Sequence, residues 1–483
     1  MKAILTLAVL SLTAAVLHAQ TNAPAAKPAA PAPSAFEKFT QETKKPADWL
    51  TWGGDLRIRN EYYNNSVTLS DEVIRHEQDV IRFRGRLWAT ATPVEGLSLN
   101  TRFSAEPREW MKPSFVGSYA AQTGMEWRWG IFDVLNAKWT NSFLTVTAGR
   151  QDITFGDFYD WWLVIDGTPG DGSWTFFLDS VRVTLDAKDI KTKFDVVALY
   201  QSAGVNDWMP VLNPDALMNV NSGAYSLTEQ NEAGAILYAS NKSVKNTQID
   251  GYFIYKGDSK EFARGDNADI YTAGAKITGT PAEHWQYSLE AAYQFGTKED
   301  NVREGGVFTL DERDISAYGG KLKASYLFKD KMNNQVSLAG EFLSGDDPDT
   351  AEDEMFDILW GRWPRWSELY IYSYIMETGG KIAQLNNVAR FGPSWTFNPI
   401  KNMSFSAMYN ALFAPQDTPT RALNPALFSG DGNFRGHYVQ TVLKHTFNKH
   451  LNAHLWAEFV WEGDYYAQRD MLSFLRGEVY LTW

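Results

Sequence analysis

Arg82, Arg84 and Arg86 stand at every second position of VIRFRGRLWA (80–89), between Ile81, Phe83, Gly85 and Leu87. In an extended strand that spacing puts the guanidiniums on one face and an apolar row on the other. DLRIRNEY (55–62) repeats the pattern, with Arg57, Arg59 and Glu61 opposite Leu56 and Ile58. Arg102 in LSLNTRFS (97–104) and Arg182 in SVRVTLD (180–186) fall on the same polar phase, Arg182 beside Asp186. Lys276, Lys321, Lys323 and Arg476 join them. The planar guanidinium fork suits carboxylates and phosphates, which it binds bidentately. The available chemistry is therefore capture of anions. Two readings stand side by side. In one, these cations pair with Glu61, Asp186, Glu341, Glu458 and Glu478. In the other, their surplus on the first three strands makes one wall electropositive and selects an anionic solute.

Other constellations carry less. His437 and His445 share one strand phase and His454 lies in the next strand, with no serine paired to them as a hydrolase would require. The acidic run DDPDTAEDE (346–354) lacks the ligand spacing of an EF-hand and reads as solvated charge. DGTPGDG (166–172) and GDGN (430–433) are explained by turn chemistry. The 483 residues include no cysteine, which excludes a disulfide scaffold and thiolate metal sites. No catalytic residue, metal or cofactor is expected. The formal net charge of −13 argues against nucleic acid as a partner. It does not oppose an acidic ligand, because charge can be segregated within a fold.

The elements that must position the arginines read as membrane strands. Residues 1–19 form an export signal: Lys2, the apolar run ILTLAVLSLTAAVL, then HAQ. Residues 20–48 form a Pro/Ala-rich periplasmic linker, of which 35–48 suits a short helix or an unstructured lead-in. From 49 to 483 about eighteen stretches alternate apolar and polar, most near the ~9–11 residues of a tilted membrane strand. Short turns such as 92–96, 140–143 and 329–334 alternate with long segments, 63–79, 105–126, 152–179, 202–231, 257–268, 296–317, 344–386, 414–436 and 462–470. That rhythm predicts an all-β transmembrane antiparallel barrel of about eighteen strands, with short periplasmic turns and long extracellular loops. The closing stretch MLSFLRGEVYLTW (471–483) has Leu475, Gly477, Val479, Leu481 and Trp483 on one face and ends in an aromatic. That is the form read by the barrel-assembly machinery of a bacterial outer membrane. Aromatics reach 14%, with 19 Trp and 22 Tyr, suiting either a large core or interfacial girdles. A barrel this wide holds water rather than a packed core. A guanidinium aimed at lipid at mid-bilayer costs ~2–4 kcal/mol, so the alternating arginines point into that water. Arg150 conflicts with this scheme. It shares the phase of Leu144 and Val146, which aims it at lipid unless Gly149 marks a bulge or Arg150 lies beyond the membrane.

GRQDITFGD (149–157) and FLDSVRVTL (177–185) carry a resemblance. With EFLSGDDPD (341–349), Phe356 and LWGRWPRWSELY (359–370), they make the chain similar to the alginate-export outer-membrane porins over most of its length after 49. The residues that match are Gly149, Arg150, Gln151, Phe155, Gly156 and Asp157, then Asp179, Val181 and Arg182, then Gly345 and Asp346. The resemblance implies a monomeric eighteen-stranded barrel in the outer membrane, gated by loops, with an electropositive interior for a uronate polymer. The expectation is a passive channel for anionic oligo- or polysaccharides, attracted by Arg57, Arg59, Arg82, Arg84, Arg86, Arg102 and Arg182 and constricted by loops 152–179 and 344–386. A general porin without uronate preference is the alternative, and a barrel hydrolase a more distant one. Trp161, Trp162, Trp360, Trp363 and Trp366 suit either sugar stacking or loop packing.

Overall fold

The computed structural model describes residues 35–71, 77–112, 123–126, 130–153, 155, 163–164, 177–204, 230–261, 265–304, 307–361, 365–379 and 384–483. The expected signal, most of the linker, Gly156, Asp157, Trp161, Trp162 and Trp363 lie outside them. The chain divides into two units, 1–46 and 47–483. The first contributes helix α1 (Ala35–Lys44), with Glu37 in its first turn and Lys44 in its last, each matched to the helix dipole.

The second unit is nearly all sheet. Its strand segments are β1 (Leu50–Asn64), β2 (Glu77–Val94), β3 (Leu97–Ala105), β4 (Arg108–Trp110), β5 (Gly124–Glu126), β6 (Gly130–Thr140) and β7 (Leu144–Gln151). Next come β8 (Leu178–Ala187), β9 (Thr192–Gln201), β10 (Gln230–Asn241), β11 (Thr247–Lys260), β12 (Asn267–Ala282), β13 (Trp285–Glu304) and β14 (Val307–Leu327). The last are β15 (Gln335–Leu343), β16 (Val388–Phe397), β17 (Met403–Phe413), β18 (Phe434–Thr446), β19 (Leu451–Glu462) and β20 (Met471–Thr482). Neighbours in sequence pair antiparallel, except that β3 pairs with β6 and β4 with β2 and β5, and β20 returns to β1 with Leu481 opposite Leu56 and Arg476 opposite Glu61. The sheet is closed. β4 continues β3 along β2 after a break at Glu106–Pro107, and β5 pairs with β4 as an extension of β6. The barrel therefore has eighteen strands.

The period-two pattern decides which face points where. Leu56, Ile58, Leu87, Val181, Leu185 and Val479 are exposed on the outer face, while Arg57, Arg59, Arg84 and Arg476 on the alternate phase are buried inside. At the seam, Gly54 and Trp483 exchange backbone hydrogen bonds in both directions. A Cβ on Gly54 would lie 2.3 Å from the Trp483 ring, so only glycine admits that ring against β1.

Two connections differ from expectation: 257–268 shrinks to the six residues between β11 and β12, and 296–317 is mostly strand. Residues 296–317 are not a long loop. β13 and β14 pair from Gly296↔Ile315 up to Glu304↔Val307, leaving two residues between the strands. The run KEDNVRE is too charged to look like a membrane strand, but backbone pairing that extends past a bilayer needs no apolar face.

Candidate functional site: the barrel bore

The interior arginines are brought together by register. Arg57 stands opposite Arg84 and Arg59 opposite Arg82 across β1 and β2. Like charges directly opposite repel, so the cluster depends on carboxylates placed between them. Glu61 takes Arg82 at 2.8 Å, Arg476 at 2.5 Å and Arg59 at 3.3 Å. Glu106, turned inward at the β3–β4 break, takes Arg57 at 2.8 Å and both Arg82 and Arg108 at 2.9 Å. Asp55 takes Arg86 at 2.7 Å and Arg84 at 3.7 Å. Glu478 takes Arg59 at 2.5 Å. These seven guanidiniums thus share four carboxylates of the barrel wall.

The seven arginines singled out by sequence separate into two groups. Arg57, Arg59 and Arg84 are 1% exposed and Arg82 is 7% exposed. A solute reaches them only if the covering chain moves. The side chains of Arg86, Arg102 and Arg182 are 11%, 16% and 22% exposed. Arg102 is held by Asp133 at 2.7 Å and Asp152 at 3.1 Å, and Arg182 by Asp195 at 2.8 Å with its guanidinium over Phe155. Lys276 and Lys321 are buried, and Lys321 pairs with Glu290 at 3.4 Å.

The connection from Ser344 to Asn387 reaches the arginine wall, where Glu368 meets Arg476. It folds inward and touches opposite sides of the barrel. Trp360 donates its indole N–H to Glu232 on β10 at 3.0 Å, and Gln294 on β13 both donates to and accepts from the backbone of Asp357. A few residues on, Glu458 on β19 accepts from the Ser367 hydroxyl and from the backbone N–H of Glu368 and Leu369, at 2.7, 2.9 and 3.0 Å. β10 and β19 are nine strands apart in a ring of eighteen, so the loop spans the bore. Its Trp366, Tyr370 and Tyr374, the last two in or beside helix α2 (Tyr370–Ser373), are buried with Tyr438, Leu472 and Phe474 of the wall. From the connection between β7 and β8, Leu163 donates its backbone N–H to both oxygens of Glu290 at 3.2 Å.

This arrangement corrects one of the sequence readings. Glu458, expected among the arginine partners, instead caps the crossing loop. Glu341 pairs with Arg390 at 2.7 Å rather than with the β1–β3 cluster. Trp360 and Trp366 pack the loop instead of facing open water. Glu106, Glu232 and Glu290 were missed. Glu232 and Glu290 carried only the signal of an inward phase, and Glu106 not even that, because it sits at a strand break.

The motif residues Gly149, Arg150, Gln151 and Asp179 form a clasp at the loop end of β7 and β8. The register there has no slip, so no bulge flips Arg150. Instead Arg150 grips Asp179 with two bonds of 2.8 and 3.0 Å, donates to the Phe132 carbonyl and stacks over Phe177 at 3.8 Å, which leaves it 2% exposed. Gly149 has φ +118, and a Cβ there would lie 2.4 Å from the Leu135 carbonyl oxygen. Gln151 donates to the carbonyls of Thr147 and Ser180. Gly345 and Asp346 serve the base of the crossing loop. A Cβ on Gly345 would meet Asn387, and both Asp346 oxygens accept from Arg313, at 2.8 and 3.0 Å. Burial raises the Asp346 carboxyl above its ordinary range, against the pull of Arg313.

Residues 137–473 match the model of the family described as alginate export. The chain belongs to the alginate-export family. No curated protein matches the sequence. Among solved structures the barrel is similar to a BenF-like porin from Pseudomonas fluorescens Pf-5, with a TM-score of 0.54 at 9% identity over 89% of this chain and 98% of that one. It is also similar to OccAB1 of Acinetobacter baumannii, TM-score 0.53 at 11% identity, covering 89% and 96% of the two chains. OccAB2 of the same organism gives 0.52 at 11% identity, covering 89% and 98%. At such identities the likeness concerns the fold. Family and fold together make this alginate-export protein an outer-membrane β-barrel of the porin type.

Proposed function

We propose that the barrel is a passive channel for anionic saccharides, uronate oligomers or polymers. The observation that carries this reading is the composition of the wall from β20 through β1 and β2 to β4, where seven guanidiniums share four wall carboxylates although the whole chain has a net charge of −13. The excess of cations is local to this wall, and a confined bore strengthens its field. Uronates offer the carboxylates that guanidinium forks bind. Arg86, Arg102 and Arg182 keep open surface and are the first cations a solute meets. The crossing loop supplies the constriction.

The pairing of every one of these arginines with an acid supports a second reading, an unselective porin whose wall is internally neutralised. Planar-bilayer conductance under a salt gradient separates the two. An anion-biased reversal potential, with current block by oligogalacturonate or oligomannuronate and none by neutral oligosaccharides, supports the uronate channel. An unselective or cation-selective pore indifferent to uronates retires it and leaves the porin.

A further inference from the structure

The crossing loop is fastened to the wall by carboxylates of its own. Asp357 reaches Lys256 on β11 at 3.4 Å, and Glu368 reaches Arg476 on β20 at 2.6 Å. Both contacts put a carboxylate on a fixed cation, which is what a uronate would do.

The two ends of the second contact differ in how firmly they are held. Arg476 belongs to the wall. Its Nε and Nη2 donate to Glu61 at 2.8 and 2.5 Å, and its guanidinium carbon lies 5.0 Å from the Phe474 ring centre and 5.5 Å from that of Trp456. With Glu368 in place the Arg476 side chain has no exposed surface, while Glu368 itself keeps 18%. Glu61 is shared with Arg59 and Arg82, so it does not neutralise Arg476 alone. Trp456 is half-buried, and its indole N–H is fixed on Glu458 at 2.7 Å, which holds the ring still beside the guanidinium. A cation with a carboxylate partner on the loop and a fixed indole beside it combines the two parts that recognise a sugar acid, a fork for the carboxylate and an aromatic ring for the pyranose.

We infer that Arg476 and Trp456 form a uronate subsite in the bore, and that Glu368 occupies it in the closed protein as an internal stand-in for the substrate carboxylate. The inference rests on the uronate-channel reading. An entering carboxylate replaces Glu368 on Arg476 Nη2, and the segment from Ser367 to Leu369 loses one of its fastenings while its backbone stays on Glu458. Permeant and gate then compete for one cation.

The test compares full-length protein with Glu368→Gln and Asp357→Asn variants in planar bilayers, using oligogalacturonate and a maltooligosaccharide of equal length as probes. The glutamine is isosteric and leaves Arg476 without its charged competitor. If Glu368 holds the site about nine-tenths of the time, E368Q binds oligogalacturonate on the order of tenfold more tightly, because apparent affinity scales with the competent fraction. Maltooligosaccharide block stays unchanged. D357N loosens a different fastening without freeing Arg476 and gives no such gain. Arg476→Gln abolishes the gain when combined with E368Q. Uronate block in the unaltered protein with equal affinity in E368Q overturns the inference and leaves the channel reading standing. An equal gain in D357N also overturns it, since loosening of the loop would then be the cause. Absence of uronate block in all of them removes the channel reading, and the inference with it.

Discussion

Arg435 on β18 grips Glu377 of the crossing loop with two parallel bonds of 2.6 Å each, in a site where neither side chain is more than 5% exposed. The Tyr465 hydroxyl donates to the same carboxylate at 2.9 Å, and the Arg435 guanidinium lies 4.3 Å over the Tyr465 ring. Arg435 also donates to the Asn387 carbonyl, where the loop rejoins the barrel. One guanidinium thus ties together the loop, its exit and the β19–β20 connection.

Removing one member of this pair should free the loop. Leaving a buried charge without its partner costs ~3–5 kcal/mol. Glu377→Gln should therefore speed amide exchange across residues 374–379 by two to three orders of magnitude, on the order set by that energy. Hydrogen-exchange mass spectrometry in detergent checks it. Unchanged exchange would mean that the loop is held by its contacts to Glu232 and Glu458.

Exposure separates two kinds of arginine substitution. Replacing Arg86, Arg102 and Arg182 together by serine should move the reversal potential toward cations, with an effect that shrinks as salt rises. Replacing Arg57 or Arg84 by serine removes one of the cations that Glu106 or Asp55 shares and leaves a hole in the packed wall. Its main effect should be a lower yield of folded barrel, read by heat-modifiable gel migration. Selectivity that responds as strongly to the buried pair as to the exposed three would show that the loop leaves the bore open.

The clasp at Arg150 should resist a nominally mild change. Arg150→Lys keeps the charge but loses the fork on Asp179 and the flat contact with Phe177. A loss of about 1.5–3 kcal/mol is expected, the worth of a hydrogen bond to a charged group. Thermal unfolding in detergent would register it as a lower midpoint. Gly149→Ala should be at least as damaging, because an L-residue at φ +118 is strained and its Cβ meets the Leu135 carbonyl.

At the seam, Gly54→Val places a branched side chain where the Trp483 ring lies. Folded barrel should fall sharply, and a second change, Trp483→Ala, should restore part of it by making room. Failure of that rescue would assign the defect to β1 alone.

The barrel was legible because lipid on one side and water on the other impose a period of two, and Leu56, Ile58 and Leu87 obey it. The same rhythm placed Arg57, Arg59, Arg82, Arg84 and Arg86 on the inner phase. Beyond the bilayer nothing imposes that pattern, which is why the paired residues of 296–317 looked like a loop. Glu61 and Glu478 could be read as arginine partners from their inward phase, but the partners of the crossing loop could not. Glu368 and Arg476 lie 108 positions apart and Trp360 and Glu232 128 apart, and both contacts depend on a chain folding back into the bore. Arg150 was visible as a conflict of phase. Asp179, its partner, stood in the same motif without any spacing that required the two to meet.

The seam also dictates an order of events. Every other junction in the barrel joins strands that are neighbours in sequence, but Arg59 and Glu478 are 419 positions apart. For a free chain, closing a loop of that length costs about 4 kcal/mol more than closing a five-residue turn. The cost is avoided if the meander of hairpins forms first and its own curl carries β20 toward β1. Until then two long strands show unpaired N–H and C=O groups, open to pairing with a second chain. On this order closure comes last, with both edges exposed until it does. Hydrogen-exchange pulses during refolding should find β1 and β20 protected last, and earlier protection there than in β12 and β13 would reverse the order.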